Sequence, residues 1–562
     1  MRPCPARSAS GILLVIVALG MTMRIAACFV PEFGDEATIV KNIARFQRDR
    51  TLLPEDMTYP TLYSYLGAGV LGVYGLALVV VGKAHTLAGA GLLFITGEAP
   101  LLLPLRLLTV IFDAGCIVAA YCLARRLRDA SAGLVAALFV VFSQNHLGYA
   151  RWGLPDVPMA FFATVSLIFA LMLLAEPDVR WYLWAGALAG LAATTKYNGA
   201  TVIVAIVTAH FLAPHGGTGL WCWRSLRKLL VAGAACITAF CVGSPMWLLQ
   251  PGEAARAFSG VVEHMETGHY FVVGGTPYLW IARYLWHVET TIGILAGVGL
   301  VYALARPRRM GLVVAVFILA TVGIVGQWQK QSAYYLLGVW PAALSLAAVA
   351  LRDLAGRWPR WRTALALLAL AAVLWPAKRA VIFVREELRE DNRLPAERWI
   401  QTNIQPGERI ATDWGNLPAL YDLSWLREAT ERRRQQFAHN PDYAIWEHFI
   451  ARTRVFELEP IRYEQSWLET TCAKYVITAS DCYARFFENE PPPAGHSFRE
   501  GFLARRQFYE QLLADNPTSR FRVRKRFSGG RGPVIVILEA QDVRVVPTQV
   551  DDHGGNRASE SR

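Results

Sequence analysis

The feature that most constrains this chain is a succession of apolar stretches, each near the length of a bilayer crossing, separated by short arginine-rich turns. A membrane span needs about 20 apolar residues. Inside a bilayer such a span must satisfy its own backbone hydrogen bonds, so it folds as a helix. Only 18% of the 562 residues are charged, whereas a soluble domain carries about 25%. The chain therefore reads as a polytopic α-helical membrane protein. Its net charge of +12 gathers in turns such as Arg125-Arg126-Leu127-Arg128 and Arg306-Pro307-Arg308-Arg309. The positive-inside rule places such turns in the cytoplasm. That distribution gives no reason to expect a nucleic-acid partner.

The first apolar run, Gly11 to Gly20, follows Arg2 and Arg7, as in a signal peptide. Ile25-Ala26-Ala27-Cys28 has the form of a lipoprotein processing site, but Arg24 interrupts the approach to it. The run is read as an uncleaved first span with a cytoplasmic N-terminus. Counting onward gives about thirteen crossings on a 20-residue ruler, with residues 62–104 crossing twice around Lys83. Every arginine-rich turn then falls inside under one assignment. The membrane domain is expected over 1–384, with an extracytoplasmic loop at 31–61. From 385 polar residues return, and strands such as Arg409–Thr412, Lys474–Thr478 and Val534–Leu538 alternate with helices. This predicts a small α/β domain over 385–545, periplasmic by parity, and a disordered tail over 546–562.

Phe33-Gly34-Asp35-Glu36 puts two carboxylates at the mouth of the first span, where charge is costly unless it has a role. A helical pattern starts there, with Ile39, Val40, Ile43 and Ala44 on one face and Lys41, Arg45 and Arg48 on another. Such a surface helix can hold a carboxylate beside a lipid phosphate. Two readings of Asp35 stay open: a catalytic acid or base, and a helix N-cap. The other polar candidates fall on the same side of the membrane. They are Asp156, Lys196 with Tyr197, the loop 263–270, Lys330 and Tyr334. Acids serve proton transfer, and basic residues hold a phosphate. The bland alternatives are a turn at Asp156 between two prolines and headgroup snorkelling by Lys196 and Lys330. His264, Glu266 and His269 lack a recognised metal spacing and read as a solvated loop.

Several of these segments resemble the GT-C glycosyltransferases, the superfamily of the protein O-mannosyltransferases and the lipid A aminoarabinose and galacturonic acid transferases. Phe33-Gly34-Asp35-Glu36-Ala37 looks like their Asp-Glu loop motif. Tyr59-Pro60-Thr61-Leu62-Tyr63 resembles their "His-Pro-Pro-Leu-Tyr" segment, departing at Tyr59 and Thr61. Tyr149 through Pro158, Thr195-Lys196-Tyr197 and Tyr334-Tyr335-Leu336-Leu337 resemble later motifs in the same order. The resemblance implies a GT-C fold and inverting transfer of a sugar from a polyprenyl-phosphate donor to a lipid, glycan or protein acceptor. It implies Asp35 as general base, with Glu36 assisting it or orienting the helix. Donor phosphate contacts would come from Lys196, Tyr197, Lys330, Tyr334 and Arg45, with Asp156 orienting a partner or contacting the sugar. No cofactor is assigned, and the acids leave room for a divalent cation. A transporter and a non-catalytic envelope receptor are the alternatives. The first would call for an inverted repeat and midplane acids, which the sequence does not display. Cys472 and Cys482, the two cysteines of the C-terminal domain, would pair in an oxidising compartment; the alternative is two free buried thiols.

Overall fold

The computed structural model describes residues 6–31, 34–214, 221–268, 276–415, 417–514 and 519–541. The expected tail over 546–562 lies outside them, as do His269 and Tyr270. The chain divides into two compact units. The first holds 1–394 together with 426–453 and 529–532; the second holds 395–425, 454–528 and the chain from 533.

The first unit is a multi-pass helical membrane domain. Among the described residues seven helices are long and apolar enough to span a bilayer, or eight if one bent pair counts as a single span. Its first helices are α1 (Ala6–Ala26), α2 (Gly34–Asp49), α3 (Leu62–Val80), α4 (Leu87–Ile95), α5 (Leu102–Leu127), α6 (Ala130–Phe142), α7 (Gln144–Ala150), α8 (Asp156–Met172) and α9 (Val179–Thr195). They are followed by α10 (Ile203–Leu212) and α11 (Trp223–Gly243). Three shorter apolar helices, over 156–172, 197–212 and 309–325, accompany the long ones. These helices do not confirm the expected count of thirteen. In particular α4, read as a second crossing within 62–104, has nine residues, about 13 Å of helix against a hydrocarbon core of about 30 Å.

Small residues set how closely the helices approach. A Cβ on Gly186 would meet the Ala232 carbonyl oxygen at 2.1 Å, and one on Gly190 would meet that of Cys236 at 2.2 Å. Glycine at four-residue spacing on α9 thus lets α11 touch it backbone to backbone, as in membrane helix pairs generally. The break between α6 and α7 bends the pair by 56°. The buried Glu289 carboxylate accepts there from Ser143 Oγ at 2.8 Å and from the Asn145 amide at 2.6 Å. A side chain so replaces helical bonds that water cannot replace in a bilayer.

The second unit is α/β. Its sheet comprises β1 (Arg409–Thr412), β2 (Tyr421–Asp422), β3 (Val455–Pro460), β4 (Tyr475–Ala479), β5 (Phe521–Phe527) and β6 (Ile535–Ala540), in the order β2-β3-β1-β4-β6-β5. Strands β2, β3, β1 and β4 run parallel, while β6 pairs antiparallel with β4 and with β5. The three strands expected from sequence are present as β1, β4 and β6. The domain boundary differs from the expected 385. It falls after Leu394, and residues 426–453 belong to the membrane unit. There the Asp442 carboxylate accepts from the amides of His85 and Thr86 and from Thr86 Oγ1, at 2.7, 3.0 and 2.7 Å. A linear boundary cannot anticipate a segment that returns.

The expected Cys472–Cys482 disulfide is absent: both thiols are free, Cys472 exposed and Cys482 buried. The reason is geometric. All five residues of β4 lie between them, and a strand advances about 3.3 Å per residue. The two Cα atoms are thus held beyond the roughly 7 Å that a disulfide can bridge. Thiol labelling without reductant should therefore modify Cys472 in the folded protein and both cysteines after denaturation. Recovery of neither after denaturation would contradict this.

Candidate active site

Helix α2 begins at Gly34 and carries Asp35 and Glu36 in its first turn. Ile39 and Ile43 bury one face of the helix against Tyr63, Leu71 and Leu105, and Lys41 and Arg48 stay exposed. The apolar spacing read from the sequence therefore fixes which way the first turn faces. Asp35 borders a cavity of about 1250 Å³ whose walls also carry Tyr59, Lys196, Tyr197, Lys330 and Tyr334.

The loop after α2 is tied down at both ends. Asn42 pairs with the backbone of Asp56, at 3.2 and 2.9 Å, and Arg45 donates to the Pro54 carbonyl at 2.9 Å. At the far end, Thr61 Oγ1 donates to the Gly243 carbonyl at 2.9 Å, and the Thr61 amide donates to Ser244 Oγ at 3.1 Å. Ser244 in turn bonds Thr194 at the end of α9, at 2.5 Å. This chain of bonds fixes Tyr59 beside Lys196, whose Nζ lies 5.8 Å from the ring centre.

Lys196 follows α9 in extended conformation. Its Nζ lies 2.5 Å from Asp156 Oδ1, in the first turn of α8. The rings of Tyr334 and Tyr335 face it at 4.2 and 5.4 Å. A desolvated ammonium over an aromatic face gains about 2 kcal/mol. Carboxylate and rings together hold the ammonium in one place at the cavity wall. Tyr197 packs its ring on Phe258, 4.9 Å between centres. Also on the lining, the Met265 carbonyl accepts from the amides of both Gln329 and Lys330, at 2.8 and 3.2 Å. His264 and Glu266, read as a solvated loop, line the same cavity from the helix Pro251–Thr267. Burial, and then the charge of Lys330, hold the His264 imidazolium below its usual range. Burial, and then Asp35 and Asp156, push the Tyr59 phenol well above its usual range, so it stays protonated.

Two expected site residues sit elsewhere. Arg45 is spent on the Pro54 carbonyl and on Asp49, at 3.6 Å, and it does not border the cavity. Glu36 is fully buried. Its carboxylate takes both arms of Arg106, at 2.8 and 2.5 Å, and the Gly153 amide at 2.7 Å. With both oxygens engaged it faces protein, one helical step from Asp35. The two acids thus do not converge on a shared cation. Gly153 suits this contact, since a Cβ there would come within 3.0 Å of Leu105 and 3.3 Å of Glu36. Arg106 also donates to the carbonyls of Cys28, Val30 and Pro31, at 2.8, 2.5 and 3.1 Å. One guanidinium therefore gathers the chain leading into α2 and the helix itself.

Sequence reasoning passed over Arg106, although a charge inside an apolar run is a signal of a paired or functional group. It also passed over Asp113, which binds Arg24 and His146 Nδ1 in the bundle core, the latter at 2.5 Å. Among the described residues Asp113, Cys116 and His146 are the one group spaced to hold a metal ion. Arg24 already fills that position with positive charge.

Residues 83–247 match the family model of dolichyl-phosphate-mannose-protein mannosyltransferases. No curated protein sequence matches the chain. The fold is similar to that of ArnT from Cupriavidus metallidurans in the apo state, with TM-score 0.52 and 14% identity over 94% of this chain and 98% of that one. The same protein bound to undecaprenyl phosphate gives TM-score 0.51, again at 14% identity and the same coverage. The chain therefore has the fold of the ArnT structures, the GT-C membrane fold that its motifs resemble.

Proposed function

We propose that this chain is an integral-membrane glycosyltransferase that moves a sugar from a polyprenyl-phosphate donor to a hydroxyl acceptor outside the cytoplasmic membrane. The observation that carries the reading is the single cavity bordered by Asp35, Lys196 and Lys330, with apolar walls at Val204, Val261 and Ile324. A carboxylate, two ammonium groups and an apolar wall suit a lipid whose reacting end is a phosphodiester. The match to the mannosyltransferase family model and the likeness to an ArnT structure bound to undecaprenyl phosphate support the same chemistry.

In this reading Asp35 takes the proton from the acceptor hydroxyl, and the oxygen attacks the anomeric carbon. The bond from that carbon to the phosphate oxygen breaks, and polyprenyl phosphate leaves. A single displacement inverts the anomeric centre. Lys196 and Lys330 meet the charge developing on the leaving phosphate, the kind of preorganised stabilisation that contributes most in a water-poor site. Asp156 and the tyrosine rings fix Lys196 so that it need not reorganise. Glu36 and Arg106 act at one remove, by fixing the turn that carries Asp35.

Membranes containing the chain should move radiolabelled sugar out of a polyprenyl-phosphate donor. A transporter or receptor would leave the sugar–phosphate bond intact. The role of Lys196 has its own test. Lys196→Met alone strands Asp156 in a buried site, so Lys196→Met/Asp156→Asn is the informative variant. It should fold normally yet lose about 10–100-fold in turnover, the equivalent of one charged hydrogen bond of about 1.5–3 kcal/mol. Full turnover by the folded double variant would remove Lys196 from the reaction.

A further inference from the structure

A second cavity, of about 230 Å³, is bordered by Tyr302, Arg306, Arg308, Arg309 and Asp353 over an apolar floor that includes Leu127 and Leu346. It lies at the far end of the helix Arg309–Val325 from the active-site cavity. Arg309 and Met310 border this one, while Ile324 and Gln327 border the other. Seventeen helical residues separate the two ends, about 25 Å. The proposed reaction makes no use of this end of the bundle.

Its charges do not balance. Asp353 is the acid of the cavity, and it is saturated: it takes Arg308 at 2.8 Å, Arg128 at 2.5 Å and the Tyr302 hydroxyl at 3.1 Å. Among the described residues Arg306 and Arg309 have no carboxylate partner, and both are exposed. Arg306 instead lies over the Tyr302 ring, at 5.9 Å. Two guanidinium groups without a carboxylate partner among the described residues thus stand at the rim of a cleft whose floor is aliphatic. Guanidinium forks match phosphate oxygens, and the floor matches an acyl chain. The arginine-rich end is the cytoplasmic one by the positive-inside rule, and anionic lipids populate that leaflet.

We infer that this cleft binds an anionic phospholipid, with its phosphate between Arg306 and Arg309 and one acyl chain on the floor over Leu127 and Leu346. The occupant is a lipid of the surrounding bilayer rather than the sugar donor, so the inference stands independently of the transferase reading.

The test is native mass spectrometry of the intact protein titrated with phosphatidylglycerol, with phosphatidylcholine, and with inorganic phosphate as a competitor. Phosphatidylglycerol should bind about 10–30-fold more tightly than phosphatidylcholine, the preference that two arginines near an anionic lipid surface supply. Arg306→Gln/Arg309→Gln should erase that preference. Both side chains are exposed, and an unchanged thermal midpoint verifies that the variant is folded. Equal binding of the two lipids, or an undiminished preference in the variant, would overturn the inference. Displacement of phosphatidylglycerol by millimolar inorganic phosphate would also overturn it, by showing a free-phosphate site in place of a lipid site.

Discussion

Asp35→Asn should leave a folded, membrane-embedded protein whose sugar transfer is lower by about 10²–10⁴-fold, the usual contribution of general acid–base catalysis. The side chain borders the cavity, so removing its charge breaks no packing. Asn is nearly the same size and is tolerated near a helix start. Donor binding should change little, because the base acts on the acceptor. The loss should therefore appear in turnover rather than in the donor's KM. The sequence alone also allowed Asp35 to be a cap, for which Asn would be silent and Ala would cost about 1 kcal/mol. The helix runs from Gly34 with Asp35 in its first turn, and the comparison of Asn with Ala at Asp35 separates the two readings. A fully active Asp35→Asn protein would leave the cavity without its base.

Glu36→Ala should have the opposite signature, a large loss of stability. Glu36 and Arg106 are both buried, with side chains 0% and 3% exposed. Removing one partner of a buried ion pair leaves an uncompensated charge and costs about 3–5 kcal/mol. Arg106 would also lose the contact that orients it toward the carbonyls of residues 28–31. Denaturation followed in detergent should show a sharply lower midpoint. Glu36→Gln/Arg106→Met, which removes both charges, should recover much of the stability. It should not recover activity, because the turn bearing Asp35 is then unanchored. Wild-type stability in Glu36→Ala would contradict the anchoring role.

Much of the fold was legible because membrane helices are written in length and hydropathy. The amphipathic α2 was legible too, since its spacing alone separates Ile39 and Ile43 from Lys41 and Arg48. What escaped was set by contacts distant in sequence. The nine-residue α4 sits in an apolar tract long enough for two spans, and hydropathy does not report where a helix stops. Strand β5, Phe521–Phe527, was not among the expected strands; five of its seven residues are exposed, so it lacks the apolar run that marked β4 and β6. At the site, two adjacent acids in one motif give no sign of which one faces the cavity. One helical step turns Asp35 to the cavity and Glu36 to Arg106, 70 residues away. Arg45 looked like a phosphate ligand by its charge, and its partner is a carbonyl nine residues on. His264 and Glu266 showed no spacing signal because their place at the cavity comes from the helix Pro251–Thr267 as a whole.

The central claim is that this cavity breaks the bond between a sugar and a polyprenyl phosphate. The most direct measurement is the yield of free polyprenyl phosphate in proteoliposomes, set against sugar transferred, for a panel of polyprenyl-phosphate sugars. With the wild-type chain one polyprenyl phosphate should appear for each sugar moved, and both signals should fall together in Asp35→Asn. Donors that all stay intact, or release that proceeds equally in Asp35→Asn, would contradict the account.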